Sequence, residues 1–479
     1  MKEQAVSGTK RGLWWRGSAT IIVAALQLIQ LFFLARWLAP ETFGLYAILR
    51  TIIGFGGYFS DAGMYNAILY GKPLDHRLFS TLFWISVGAG LLMLMILYAV
   101  SPVLEDFYQM PGLSGPVVYV GVILLFMAMG SHYKAVLQRD MKYKSIAIVD
   151  IIAHNIGFFT TIIYGYLFKD VMALVYGYLA RTMVASAGYF IQGHMRHPLS
   201  FQFTTIGLRY YLSYASYQLP ERWLGYLSSN MDVLIIGKVL GSEVLGVYEL
   251  FKQFLRRGIH LVNPLLDHVY VPVMTSYHRE GKPFQAIYFQ MVRWSAWLLF
   301  PFYTLLIIFA NSFIAIFFGS VWVPHFPLFQ WLCVYFVLHS VVQHIGAWWV
   351  AINRPDLGFY WNLGLLPVMF FSVYFAAQHG IVVVAMAITL LMLLQGFLLY
   401  WTMIYPQPGV ELRDYIRSFG YPLSYTLFSF FPLFGMKWYH WGSTGWMWCI
   451  TAGLLLFYLW MVWKYETDMI KTIIKHTRQ

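Results

Sequence analysis

Residues 36–46 read RWLAPETFGLY, and residues 238–248 read KVLGSEVLGVY. Arg36, Leu38, Glu41, Gly44 and Tyr46 thus stand 202 residues ahead of Lys238, Leu240, Glu243, Gly246 and Tyr248. The correspondence carries on past the two stretches, with Arg50 falling on Lys252 and Asp61 on Asn263. Each stretch joins one apolar run to the next, so the same seam occurs twice. A chain that repeats a seam between runs at one offset reads as two copies of a single unit.

The runs are membrane spans. The chain has 479 residues, 59% hydrophobic and only 11% charged, with a mean hydropathy of +0.62. A soluble domain carries about 25% charged residues. The apolar runs approach 20 residues, the length that crosses a hydrocarbon core of roughly 30 Å at 1.5 Å per residue. In lipid, helices satisfy every backbone N–H and C=O internally. This pattern excludes a disordered chain, a disulfide scaffold and a large soluble catalytic domain. Apolar runs between charged or Pro/Gly-rich breaks predict fourteen spans: 13–36, 43–70, 79–101, 115–134, 145–168, 171–194, 208–238, 243–270, 286–311, 326–350, 357–377, 380–405, 416–436 and 444–463. The run from Leu13 to Arg36 is too long for a cleaved signal and reads as the first span. Both seams follow an odd-numbered span, so the copies are parallel repeats about an axis along the membrane normal. The expected fold is all-α: a six-helix lobe in 1–200, a second in 201–410, and two further helices with a tail in 411–479. Cys333 and Cys449 are too few and too far apart for a metal site or a disulfide framework.

The net charge is +12, from 32 Lys+Arg against 20 Asp+Glu. Twenty-two of the bases fall on the two ends and alternate loops, four on the opposite loops, and six within spans. That bias on short loops predicts that both termini are cytoplasmic. Trp14, Trp15, Trp348, Trp349, Trp438, Trp441 and Trp463 stand at span ends, where interfacial aromatics gather. The surplus charge thus sets topology and meets anionic lipid, with no nucleic-acid partner expected. No GxxxxGK[ST] occurs and the loops are short, so neither a bound nucleotide nor another cofactor is expected.

Polar residues inside spans are costly and mark function. In the eighth span Glu249, Lys252, Arg256, His260, Asn263 and Asp267 follow at spacings of 3, 4, 4, 3 and 4, one helix face. Arg257 stands about 100° off it. The second span carries Arg50, Tyr58, Asp61 and Tyr65 on the matching stripe. Arg50 and Lys252 lie roughly 12–14 Å below the outer end, near the midplane. In the seventh span Glu221 and Arg222 follow Pro220, where a broken or kinked helix is expected. Arg50, Arg222, Lys252, Arg256 and Arg257 can form a cationic pocket between the lobes, its guanidinium forks suited to phosphate. The competing reading is internal neutralisation: Glu249 with Lys252 or Arg256, Glu221 with Arg222, and Asp267 or His260 with the rest. Asp61, Glu221, Glu249, His260, Asn263 and Asp267 are the candidates for ion coupling or cavity lining. His132, His154, His339 and His344 are scattered and read as packing residues rather than ligands.

Phe43-Gly44-Leu45-Tyr46 followed by Ser60-Asp61-Ala62-Gly63 resembles the FGL…(S/A)D-x-G signature of Wzx-type polysaccharide transporters. Gln138-Arg139, Tyr143-Lys144 and Asp150 resemble their next cytoplasmic loop, and Asn263-Pro264 with Pro272 the end of their eighth span. The chain looks like the colanic-acid branch of these lipid-linked oligosaccharide flippases, within the multidrug/oligosaccharidyl-lipid/polysaccharide exporter superfamily. It departs from that branch in the charged stretch Glu249-Leu250-Phe251-Lys252. The resemblance implies two six-helix lobes around a central cavity, working by alternating access. It implies undecaprenyl-pyrophosphate-linked oligosaccharide moved from the cytoplasmic to the periplasmic leaflet of the bacterial inner membrane. It implies no catalysis, and partners among polysaccharide assembly proteins such as a polymerase or a chain-length regulator. Onto the cavity it carries Arg50, Arg222, Lys252 and Arg256. Two rival readings are an ion-coupled drug or cation antiporter of the same superfamily, which favours acidic cavity residues, and a membrane polymerase or glycosyltransferase, which calls for a substantial outer loop.

Overall fold

The computed structural model describes residues 22–60, 63–70, 75–195, 197–354, 356–406, 410–438 and 450–464. Among them there are helices, turns and short connections but no strand. The helices fall on the expected apolar runs, and seven described stretches are long and apolar enough to cross a membrane. The chain gathers into two compact units, Met1–Phe254 with Gly358–Val384, and Leu255–Leu357 with Ala385–Gln479.

The first unit holds α1 (Ile22–Trp37), α2 (Pro40–Ser60), α3 (Met64–Tyr70), α4 (His76–Tyr108), α5 (Ser114–Arg139), α6 (Tyr143–Phe168), α7 (Met172–His194) and α8 (Leu208–Val239). To these it adds α9 (Gly241–Arg279) as far as Phe254 and most of α14 (Asp356–Ala377). Neighbours in sequence pack as neighbours in space, α4 on α5 and α6 on α7, with α5 also on α7 and α2 on α5 and α8. Short connections between long helices leave this antiparallel packing as the simplest solution. One buried cluster binds α3 to α8: Met64, Ile68, Phe79, Leu82, Tyr133, Val149, Tyr189 and Tyr211. Arg139 donates to the carbonyl of Ile68 and so closes the end of α3 (3.3 Å). Tyr65 donates to Gln138 (2.6 Å) beside it.

The two copies of the seam meet each other in this unit. A Cβ at Gly44 would collide with the backbone of Ser242, and one at Gly246 with the backbone of Pro40. Pro40 and Ser242 are themselves 202 residues apart. The first turns of α2 and α9 therefore cross backbone against backbone, each repeat using its glycine to admit the other. The close carbonyl-to-Cα approach is available only where both helices lack a side chain. Glu41 and Glu243, in the first turns, stay exposed and complement the positive helix ends.

The second unit holds the rest of α9, then α10 (Gln285–Ile308), α11 (Ala310–Phe317), a 3-10 turn (Ser320–His325), α12 (Phe326–Val342), α13 (Ile345–Ala351), α15 (Ile381–Leu399, ending in a π turn to Ile404) from Ala385 onward, α16 (Leu412–Trp438) and α17 (Ile450–Lys464). α10 is its hub and packs on α12 and α16. Ile308, Phe309, Phe430 and Leu433 join α10 to α16, with Ile450 and Leu454 of α17 against them. The buried Tyr303 hydroxyl donates to the Leu255 carbonyl (2.9 Å) and ties α10 to α9.

Three expectations change. α8 runs through Pro220 as one helix. A proline removes only its own bond to the carbonyl four residues back, and the turns on either side keep theirs. The run from 43 to 70 is instead interrupted, because Gly63 takes a left-handed turn (φ +68°) between α2 and α3. A Cβ there would press on Ala215 and Leu219 of α8. Trp348 and Trp349, read as interfacial, are buried, Trp348 against Phe284 and Tyr288. The repeat crossing makes a test. Gly44→Val and Gly246→Val should each destabilise the purified protein by about 1–3 kcal/mol through overpacking, whereas Gly115→Ala, with open space at its Cβ, should leave thermal unfolding unchanged. Equal melting of all three variants would mean that the helices do not cross this closely.

Candidate functional site

Below the glycine crossing, the next charged residues on the two helices find each other. Arg50 of α2 donates through Nη1 to Glu249 Oε1 of α9 (2.7 Å). The pair is lopsided. The Arg50 side chain is 36% exposed, whereas Glu249 is buried and its Oε2 has no hydrogen-bond partner among the described residues.

α8 supplies the other base on this side. The Tyr226 ring lies on Gly54, where a side chain on α2 would displace it. Its hydroxyl donates to the Arg50 carbonyl (3.4 Å). Trp223 lies tilted against Phe59 (3.8 Å between centroids), and the Arg222 guanidinium stands over the Tyr58 ring (6.0 Å). Arg222 is half-buried and makes no ion pair among the described residues. A cation held over a ring keeps its N–H donors for another acceptor.

Lys252 occupies the repeat position of Arg50 but has a different environment. It is buried and paired with Asp232 of α8, which is buried too. Asp232 also accepts from the Tyr248 hydroxyl and from the Val233 N–H (2.9 Å). The carboxylate is therefore fully engaged and the pair joins α8 to α9. The repeats diverge here because Ala47 stands where the second copy has Glu249, and Gln30 where it has Asp232. Glu249 pairs neither with Lys252 nor with Arg256, the partners that internal neutralisation suggested, but with Arg50.

The rest of the stripe belongs to the second unit. Arg256, Arg257 and Asn263 are half-buried, and His260 and Asp267 exposed. Glu249 and Lys252 are thus the buried members of the face predicted from the spacing, and the members beyond them are half-buried or exposed. Asp61 lies outside the described residues, as does the Glu221 side chain.

Sequence reading passed over Asp232, the part Tyr248 plays beside it, and the way a second polar group in the first unit is assembled. Asp150 accepts from the Tyr189 hydroxyl and pairs with Lys134 (3.5 Å). His154 Nδ1 donates to the Asp150 carbonyl (2.7 Å), leaving Nε2 to face Arg181 Nη1 (3.5 Å). Arg181 lies over the Tyr178 ring (4.2 Å). The signal was present: Asp232 and Arg181 are charges within apolar runs, but neither repeats at the 202-residue offset.

The buried pair predicts an asymmetry. Asp232→Asn alone should strip Lys252 of its counter-charge and lower the amount of folded protein, at a cost of about 3–5 kcal/mol. Asp232→Leu with Lys252→Met should recover most of that loss in the same membrane-level and melting assays. A single variant as stable as the parent would show the pair to be solvated.

Residues 33–327 match a family model described as polysaccharide biosynthesis protein. The lipopolysaccharide biosynthesis protein WzxC of Escherichia coli K12 is 25% identical over 430 residues, 89% of this chain and 86% of its own. The teichuronic acid biosynthesis protein TuaB of Bacillus subtilis 168 is 24% identical over 425 residues, 88% of this chain and 87% of its own. Among solved structures, the lipid II flippase MurJ in an inward closed conformation superposes with a TM-score of 0.76 at 12% identity, covering 95% of this chain and 99% of MurJ. An inward-facing multidrug resistance MATE transporter gives 0.60 at 14% identity, covering 81% of this chain and 96% of its own. At those identities the structures establish a shared fold: an all-helical, polytopic membrane architecture of the MurJ and MATE kind. On the family match, the chain belongs to the polysaccharide biosynthesis protein family.

Proposed function

We propose that this protein flips undecaprenyl-pyrophosphate-linked oligosaccharide from the cytoplasmic to the periplasmic leaflet of a bacterial inner membrane, by alternating access and with both termini cytoplasmic. The observation that carries the reading is Arg50: a guanidinium on a span-forming helix, more than a third exposed, with Arg222 of the neighbouring α8 over Tyr58 of the same α2. A pyrophosphate needs fixed cationic donors to leave the headgroup layer, and planar forks suit its oxygens. Outward movement of an anion is further helped by an inside-negative potential, at about 2.3 kcal/mol per charge per 100 mV. The polyprenyl chain needs no pocket of its own, because it can stay in lipid.

In this reading Arg50 and Arg222 touch the phosphates. Arg256 and Arg257, further along α9 in the second unit, are half-buried bases that remain candidates for an anion. Lys252, buried against Asp232, holds α8 to α9 instead. Among Asp61, Glu221, Glu249, His260, Asn263 and Asp267, coupling to an ion is proposed for none in particular. Arg222 makes no ion pair among the described residues and so keeps its donors for an anionic cargo, rather than the cationic one of a drug antiporter.

Two experiments test the reading. Deleting the gene in a producing strain should leave lipid-linked repeat units stranded on the cytoplasmic side; delivery to the outer leaflet with no redundant transporter would refute it. Arg50→Ala and Arg222→Ala should each cut export at least about tenfold at normal protein levels, the cost of one charge-assisted contact. Undiminished export by the double variant would remove both residues from the substrate path.

A further inference from the structure

We propose that Glu249 is an internal stand-in for the substrate's anion: it occupies Arg50 while the site is empty, and the incoming pyrophosphate displaces it. The proposal deepens the flippase reading and rests on it.

The two repeat-equivalent bases supply the comparison. Lys252 and Asp232 are both buried, and Asp232 takes three donors. That is a closed structural pair, its acid taking several donors and neither partner open to solvent. The Arg50 pair is built otherwise. Its base is open to a second ligand, and only one of its nitrogens holds the acid. Its acid is 8% exposed and engages through Oε1 alone, with Oε2 idle among the described residues. A carboxylate buried on one donor is held weakly for its burial, because desolvation is charged to both oxygens while one is compensated. A diphosphate presents several oxygens to the open side of the fork and can engage it bidentately. It therefore has the geometry to outcompete Glu249, while a cationic ligand meets Arg50 first and is repelled. Glu249 thereby selects for cargo with more charge and better fork geometry than a single carboxylate.

The exchange also has a mechanical side. Glu249 is three residues past Gly246 and Arg50 six past Gly44, so the pair ties α2 to α9 directly beyond the backbone crossing. Among the described residues it is the one ion pair between these helices. When phosphate takes Arg50, that tie is lost, and the crossing is left to packing alone. The helix ends at the crossing are those that the proposed topology puts outside. Substrate occupancy is thus coupled to release of the outer ends of α2 and α9.

The test uses the purified full chain and inorganic pyrophosphate as the probe. Glu249→Gln keeps Arg50 and removes its competitor, so pyrophosphate should bind about fivefold or more tighter than to the parent, the lower end of ordinary site-to-site coupling. Glu243→Gln removes the same charge from an exposed position on the same helix and should leave affinity unchanged. Equal affinity of parent and Glu249→Gln, or an equal gain in Glu243→Gln, overturns the proposal. A second measurement does not depend on the Glu249 variant folding. Spin labels at Glu41→Cys and Glu243→Cys, with Cys333 and Cys449 replaced by Ser, should move apart when pyrophosphate is added. An unchanged separation overturns the coupling. Failure of this reading and of the flippase reading are distinguishable. If the gene deletion leaves export intact while Glu249→Gln still tightens pyrophosphate binding, the competition stands and the cargo assignment falls. If deletion blocks export and the variant binds no tighter, the reverse holds.

Discussion

The backbone contact between Gly44 and Gly246 is the constraint on which the first unit depends. Two helices that begin in different repeats approach until the carbonyl of each first turn lies over the other's glycine. In lipid the hydrophobic effect does not drive helices together, so close van der Waals approach and polar contacts must do so. This crossing supplies the first, and the Arg50–Glu249 pair next to it supplies the second. Together they explain why the beginning of α9 associates with the first unit while its continuation belongs to the second.

Charge in the spans is organised by function as much as by cost. One pair, Lys252 with Asp232, is buried and saturated with donors, as a structural ion pair must be to offset desolvation. Another, Arg50 with Glu249, is left asymmetric. A third group, Lys134, Asp150, His154 and Arg181, ties α5, α6 and α7 through tyrosines and a histidine rather than through a single ion pair. Arg50 and Lys252 stand at equivalent places in the two seams, and the differences at Ala47 against Glu249 and Gln30 against Asp232 go with their different partners.

The motif residues that carry the family resemblance turn out to be structural at several points. Gly44 admits α9, Gly63 turns the chain between α2 and α3, and Gln138 and Arg139 fasten the end of α3. Asp150 gathers Tyr189 and Lys134. The signature describes how the first unit is assembled, and substrate contacts are better sought among bases that no motif names, such as Arg222.

The sequence by itself determined that the chain is a helical membrane protein, because run length and low charge leave no other way to satisfy a backbone in lipid. It also showed the repeated seam, since the equal spacing of five positions at one offset is visible without any knowledge of contacts. It placed Arg50, Arg222 and Lys252 inside spans. Only the tertiary structure decided what they meet. Helical periodicity fixes the face on which a residue lies but not which helix packs there, so the partner of Glu249 could not be read as Arg50, 199 residues away. Asp232 escaped notice for the same reason: its meaning lies in Lys252 and Tyr248, a helix apart. Pro220 shows the remaining limit, because a local rule about one lost hydrogen bond does not decide the course of a helix whose other turns remain bonded.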